Sequence, residues 1–188
     1  MSVGKRVSES IDKMAAGDAE GALIPASIAV DATASQLFPT EKNNSAYKQF
    51  ISDNLATITK FAFGGTSITQ SLRVKYYHPD LIPDSDGLCS FEQIMYHVVR
   101  CGLLHAAELP SDLKFTNEGV IKVKDNSLIL PASLIFGLIV AVVVSPTNAG
   151  ESIGDSYTLN FRDNHQKLNE LWGNKLELET LMADPNVA

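Results

Sequence analysis

Residues 90–110, SFEQIMYHVVRCGLLHAAELP, read as a single helix, and it carries the spacing most suggestive of chemistry in the chain: Arg100 followed by His105. Ser90 and Gln93 have the pattern of a capping box, in which the serine hydroxyl bonds a free helix N–H and the glutamine reaches back. Beyond that cap, Phe91, Ile94, Met95, Val98 and Cys101 recur at helical spacing and mark a core-facing side. Pro110 closes the segment, because the residue before a proline is pushed out of helical geometry.

Working outward, Val7, Ile11 and Met14 give residues 5–16 an amphipathic helical period that Gly17 ends. Asp18 caps a second helix, Ala19 to Leu37, whose small residues allow close contact; Pro25 sits near its first turn and Pro39 stops it. Tyr47, Phe50, Ile51, Leu55, Ile58 and Phe61 mark a third helix over Asn43 to Phe63, terminated by Gly64-Gly65. Leu72, Val74 and Tyr76 alternate like a short strand within a loop that runs to Gly87.

After Pro110 the period changes. Residues 120–123 and 127–130 flank Lys124-Asp125-Asn126 as a β-hairpin with a short polar turn. Residues 128–144, LILPASLIFGLIVAVVV, are the one membrane candidate. Pro131 splits them and leaves a helix of about 20 Å, against roughly 30 Å of hydrocarbon. A helix apolar all round is also what the centre of a folded domain contains, and this one is assigned to the core. Tyr157 to Phe161 form a short strand, and His165 to about Met182 a final helix with Leu168, Leu171, Leu176, Leu178 and Leu181. The expectation is one domain over residues 1–188, mainly α: a helical bundle with a small β-hairpin inserted before a buried apolar helix.

Composition narrows the function classes. The chain has 188 residues, 45% hydrophobic and 20% charged, which fits a globular domain and argues against disorder. Its net charge of −7 and lack of a basic run argue against general nucleic-acid binding but leave room for one local positive site. Cys89 and Cys101, placed on or beside one helix, would lie about 18 Å apart, beyond disulfide reach. Unpaired thiols and an N-terminus without the apolar core of a signal peptide point to the cytoplasm.

The four histidines form no i, i+4 pair, and there is no H-E-x-x-H, phosphate loop, dinucleotide fingerprint or serine elbow. No metal and no cofactor are expected. What remains is Arg100-Cys-Gly-Leu-Leu-His105. Arginine offers a permanent charge and a planar fork suited to phosphate, and histidine can move a proton near neutral pH. Together they meet the needs of metal-independent RNA cleavage. Histidine takes the ribose 2′-hydroxyl proton, that oxygen attacks phosphorus, and the guanidinium stabilises the added charge. On a straight helix the two side chains point about 140° apart. They converge if Arg100 swings its long arm, if Gly102 breaks the helix, or if two chains share a cleft; the last predicts a homodimer.

Arginine, four residues and a histidine near the end of a buried helix, within the wider phrase Tyr96-x-x-x-Arg100-Cys-Gly-Leu-Leu-His105, resemble the HEPN superfamily. The resemblance covers about twenty residues and is architectural elsewhere. It implies a helical bundle, often dimeric, and a metal-independent endoribonuclease of a toxin–antitoxin or defence system, with RNA as substrate and a protein antitoxin as partner. Arg100 and His105 would be the catalytic pair. A non-catalytic HEPN-like module that binds nucleotide or protein through the same cleft is the alternative. The third is a structural helical protein in which both cations merely bond the last carbonyls of their helix. Asp31 and Thr33 invite the idea of a carboxylate holding Arg100, but Thr33 bonding its own helix backbone beside a partly exposed Asp31 is favoured. Tyr96 and His97 are assigned to packing and surface, Glu108 to a solvated helix end, His78 to a loop and Trp172 to the core.

Overall fold

The computed structural model describes residues 2–102, 111–161 and 164–183. Helix α1 (Val3–Ala15) and helix α2 (Ala19–Leu37) form a hairpin through Gly17, whose φ of 79° only glycine adopts freely. Asp18 caps α2 as expected, its side chain accepting from the Gly21 amide at 2.8 Å. Ser2 caps α1 locally, its hydroxyl accepting from the Lys5 amide at 3.4 Å, and a second acceptor comes from far away in sequence. Glu151 accepts from the Ser2 hydroxyl at 2.6 Å, the Val3 amide at 3.2 Å and the Gly4 amide at 2.9 Å. A carboxylate there satisfies free N–H groups and meets the positive end of the helix dipole.

The third helix breaks in two, α3 (Asn43–Asp53) and α4 (Leu55–Ala62). Asn54 lies at the break, and its side-chain amide donates to the Phe50 carbonyl at 2.9 Å. Local side-chain bonding of this kind competes with helix continuation. Strands β1 (Arg73–Val74) and β2 (Cys89–Ser90) pair antiparallel and deliver the chain into α5 (Phe91–Ile94), which runs on as a π-turn over Met95–Arg100. Ser90 occupies the cap position but makes no side-chain cap bond. The expected capping box is not formed; the Phe91 amide donates instead to the Leu72 carbonyl at 2.9 Å.

Strand β3 (Leu113–Thr116) runs parallel to β5 (Ser127–Pro131), whose other edge pairs antiparallel with β4 (Lys122–Lys124). Lys124 opposes Ser127, so the turn is Asp125-Asn126, with φ of 50° and 58°. Two positive φ values are what a type I′ hairpin turn requires, and Asp and Asn tolerate them best after glycine. Helix α6 (Ser133–Val143) follows directly and is the core: Leu134, Ile135, Leu138, Ile139, Val140, Ala141, Val142 and Val143 are all buried. It packs on α2 and α4, with α1 alongside. Gly137 meets α4 so closely that a methyl group there would lie 2.4 Å from the Ile58 carbonyl oxygen. Among the described residues no helix is long and apolar enough to cross a membrane.

The C-terminal third overturns an expectation. His165 lies in a strand, β7 (Asn164–Lys167), paired antiparallel with β6 (Thr158–Phe161). A 3₁₀ turn at Leu168–Glu170 follows, and helix α7 (Lys175–Met182) starts only after Gly173, whose φ is 70°. The leucines at 168 and 171 are buried from the turn, not from a helical stripe. Asn169 fastens this turn to the preceding loop through the Ile153 amide at 3.0 Å and carbonyl at 2.8 Å. Trp172 is in the core.

The mainly α helical bundle is therefore corrected. Among the described residues the protein is mixed α and β, 51% helical and 14% strand, with three small sheets. The reason is local: Leu113–Thr116 and Asn164–Lys167 satisfy their backbone groups across strands rather than along a helix. The inserted hairpin is real, but it is two strands of a three-stranded sheet.

Two consequences are measurable. Gly137→Ala forces α4 and α6 apart and should lower the free energy of unfolding in urea by about 1–3 kcal/mol. Burial raises the Glu151 pKa, but the donors Ser2, Gly4 and Val3 outweigh it and the net shift is below the ordinary 4.5. A depressed pKa means a contribution complete above that ordinary value and lost as pH falls below it. Glu151→Gln should cost about 1 kcal/mol at pH 7, and the gap between variant and parent thermal midpoints should close as pH falls below the ordinary 4.5.

Candidate functional site

Three helices each bring an i, i+4 pair to one place: Ser27 and Asp31 from α2, Asn43 and Tyr47 from α3, Tyr96 and Arg100 from α5. Residues four apart share a helix face, so each pair is aimed as a unit. The π-turn sets the third. With five residues between hydrogen-bonded partners, the Cys101 amide reaches back to the Tyr96 carbonyl. That wider turn buries Val99 beside Met95 and Val98 and leaves Cys101 half-buried, where regular helical spacing had placed Cys101 in the core. Arg100 is turned towards α2 and α3.

Its guanidinium lies side-on to Asp31, with Nε 3.3 Å from Oδ1 and Nη2 3.3 Å from Oδ2. Asn43 bridges the two: turned with its nitrogen towards the carboxylate, it donates to Asp31 Oδ1 at 3.2 Å and accepts from Arg100 Nη2 at 2.6 Å. The Tyr96 ring covers the guanidinium at 5.3 Å and meets the Tyr47 ring edge-on at 5.7 Å. The side chains of Arg100 and Asp31 are 14% and 28% exposed, so the pair is a rim group screened less than a surface ion pair. Below it, the hydroxyls of Ser27 and Tyr47 are buried neighbours without a well-formed hydrogen bond, to one another or to anything else.

The electrostatics follow. Burial alone would lower the Arg100 pKa, but the hydrogen bonds and charge of Asp31 outweigh it and raise it above the ordinary value. Tyr47 is shifted up by burial and by the Asp31 charge, and Tyr96 by burial, so both phenols stay protonated at neutral pH. Burial and then the nearby Lys48 lower the pKa of His97, which favours the neutral imidazole. The edge of the guanidinium that would grip a phosphate side-on is occupied by a carboxylate.

Of the two expected catalytic residues, Arg100 stands in this cluster, and His105 lies outside the described residues, as does Glu108. Asp31 is partly exposed, as favoured, and it also holds Arg100, the pairing that the sequence reading set aside. Thr33 does bond its own backbone, donating to the Ala29 carbonyl at 2.8 Å. It also accepts from buried Asn148 at 3.0 Å, a link between α2 and the Pro146–Asn148 turn. The signal for Asp31 was present, a lone carboxylate in the apolar run AVDATAS. Asn43 gave none, because at a helix start it reads as an ordinary terminal residue. Tyr96, assigned to packing, is the lid on the guanidinium.

The chain is similar to uncharacterized proteins of mycobacteria. The protein Rv1289 of Mycobacterium tuberculosis strain H37Rv is 26% identical over 180 residues, which cover 92% of this chain and 84% of that protein. The protein Mb1320 of Mycobacterium bovis matches with the same identity and coverage. No solved structure matches the chain. A family model described as Rv1289 matches residues 2–187, and the chain therefore belongs to the Rv1289 family.

Proposed function

We propose that the protein is a non-catalytic binding module in which Arg100 holds three helices together instead of serving a phosphoryl transition state. The observation that carries this reading is the occupied guanidinium: Asp31 takes its side-on edge, Asn43 bridges, and Tyr96 covers its face. A group that must stabilise developing negative charge is of little use when a carboxylate already neutralises it. A net charge of −7 repels a polyanion over much of the surface, which favours a protein over a nucleic acid as the partner. The free thiols of Cys89 and Cys101 fit a cytoplasmic setting.

The ribonuclease reading keeps one favourable observation. Both Arg100–Asp31 bonds are long for a charged pair, at 3.3 Å, so a phosphate could compete for the fork. In that reading Asp31 releases Arg100 when RNA binds, His105 is the base, and a homodimer completes the cleft.

The two readings part in a single assay. Mixed RNA incubated in EDTA with the parent protein, Arg100→Ala and His105→Ala should remain intact in all three. Cleavage by the parent that both variants lose would establish the ribonuclease. A stability cycle on Asp31→Ala, Arg100→Ala and the double variant should give a coupling of about 1 kcal/mol that shrinks in salt. Zero coupling would remove the clamp.

A further inference from the structure

The loop between β1 and β2 displays two large apolar side chains on a hydrogen-bonded frame. Tyr77 is 74% and Ile82 81% exposed, while Tyr76 and Leu81, one residue before each, are buried. The Tyr76 hydroxyl donates to Asp112, and the Leu81 amide donates to the His78 carbonyl at 3.0 Å. Asp84 ties the second half together. Its carboxylate accepts from the Asp86 and Leu88 amides, both at 2.9 Å, and from Arg73 at 2.8 Å, and its own amide donates to the Leu88 carbonyl at 2.8 Å. These bonds lower the Asp84 pKa, led by the Leu88 amide, and so keep it ionised.

Holding a tyrosine and an isoleucine out in water is unfavourable, and a loop with this much internal bonding does so by construction. Side chains that are fixed before contact lose less entropy on binding, and tyrosine is among the residues that dominate interface energies. The loop also has a sign. Asp80, 68% exposed at its side chain, lies between the apolar pair in sequence and Asp86 follows it, against one exposed lysine in the loop, Lys75. A second copy would bring the same acids and a further −7 charges to the contact, so charge favours a basic partner.

We infer that the 75–88 loop is the docking surface of the binding module, and that its occupant is a basic amphipathic segment of a partner protein, laid with its apolar side on Tyr77 and Ile82 and its cations towards Asp80 and Asp86. This deepens the binding-module reading and rests on it, but it is measured separately from RNA cleavage. The probes are two synthetic amphipathic peptides with the same leucines, one carrying arginine and the other glutamate at its polar positions. The arginine peptide should shift amide resonances within residues 75–88 of the full chain, and its affinity should fall at least tenfold for Tyr77→Ser/Ile82→Ser and fall again on raising salt. The glutamate peptide should leave the spectrum unchanged. Three results overturn the inference: no binding of the arginine peptide, equal binding by the double variant, or self-association of the parent that the double variant abolishes, which would make the occupant a second copy. RNA cleavage by the parent with the loop binding intact would remove the non-catalytic reading and leave the docking surface standing.

Discussion

A helix that is apolar on nearly every side must be enclosed, and in this protein the other elements are arranged to enclose α6. Its leucines, isoleucines and valines are buried on the faces towards α2 and α4, and Gly137 lets the backbone of α4 come into direct contact. Burial of that area is the main favourable term for a domain of this size. The close approach sets the separation of α4 and α6, and the Ser133 hydroxyl adds a bond to the Ala62 carbonyl at 2.8 Å, fixing their register. The β-hairpin before α6 and the 3₁₀ turn after it leave the helix ends near backbone that can satisfy them.

The Arg100 cluster stands at the other scale. It joins α5 to α2 and α3 through polar contacts as well as through the fully buried Tyr47 ring. An ion pair at a rim adds modestly to stability, but a fork, an amide bridge and an aromatic lid accept few arrangements. Its role is to fix which way the π-turn faces. The unpaired hydroxyls of Ser27 and Tyr47 beneath it are a cost the fold bears at this junction.

What the sequence revealed was whatever depends on neighbours along the chain. The Asp18 cap, the Gly17 stop, the period of α1 and a polar hairpin turn within residues 124–126 are local rules, and each was legible. The core assignment of residues 128–144 needed only hydropathy and length. The errors have a common source. Ser90 was a sound cap by local rule, yet Leu72, eighteen positions earlier, supplied the bond. The run from His165 to Met182 has leucines at plausible helical spacing, but pairing with Thr158–Phe161 offered its first residues a sheet instead. The π-turn has no compositional signature, so the face of Arg100 was out of reach. The site was half visible: the arginine and its carboxylate were both singled out, but their pairing depends on α2 and α5 meeting.

The long-range cap of α1 has a consequence for the order of events. Ser2 and Glu151 are separated by 149 positions, so α1 can be capped locally by Ser2 but gains its carboxylate acceptor only once residue 151 is in place. Contacts between such distant residues form late and slow the search for the native state. The N-terminus of α1 is thus secured late by this bond, although its apolar side is already covered by α2 within the hairpin.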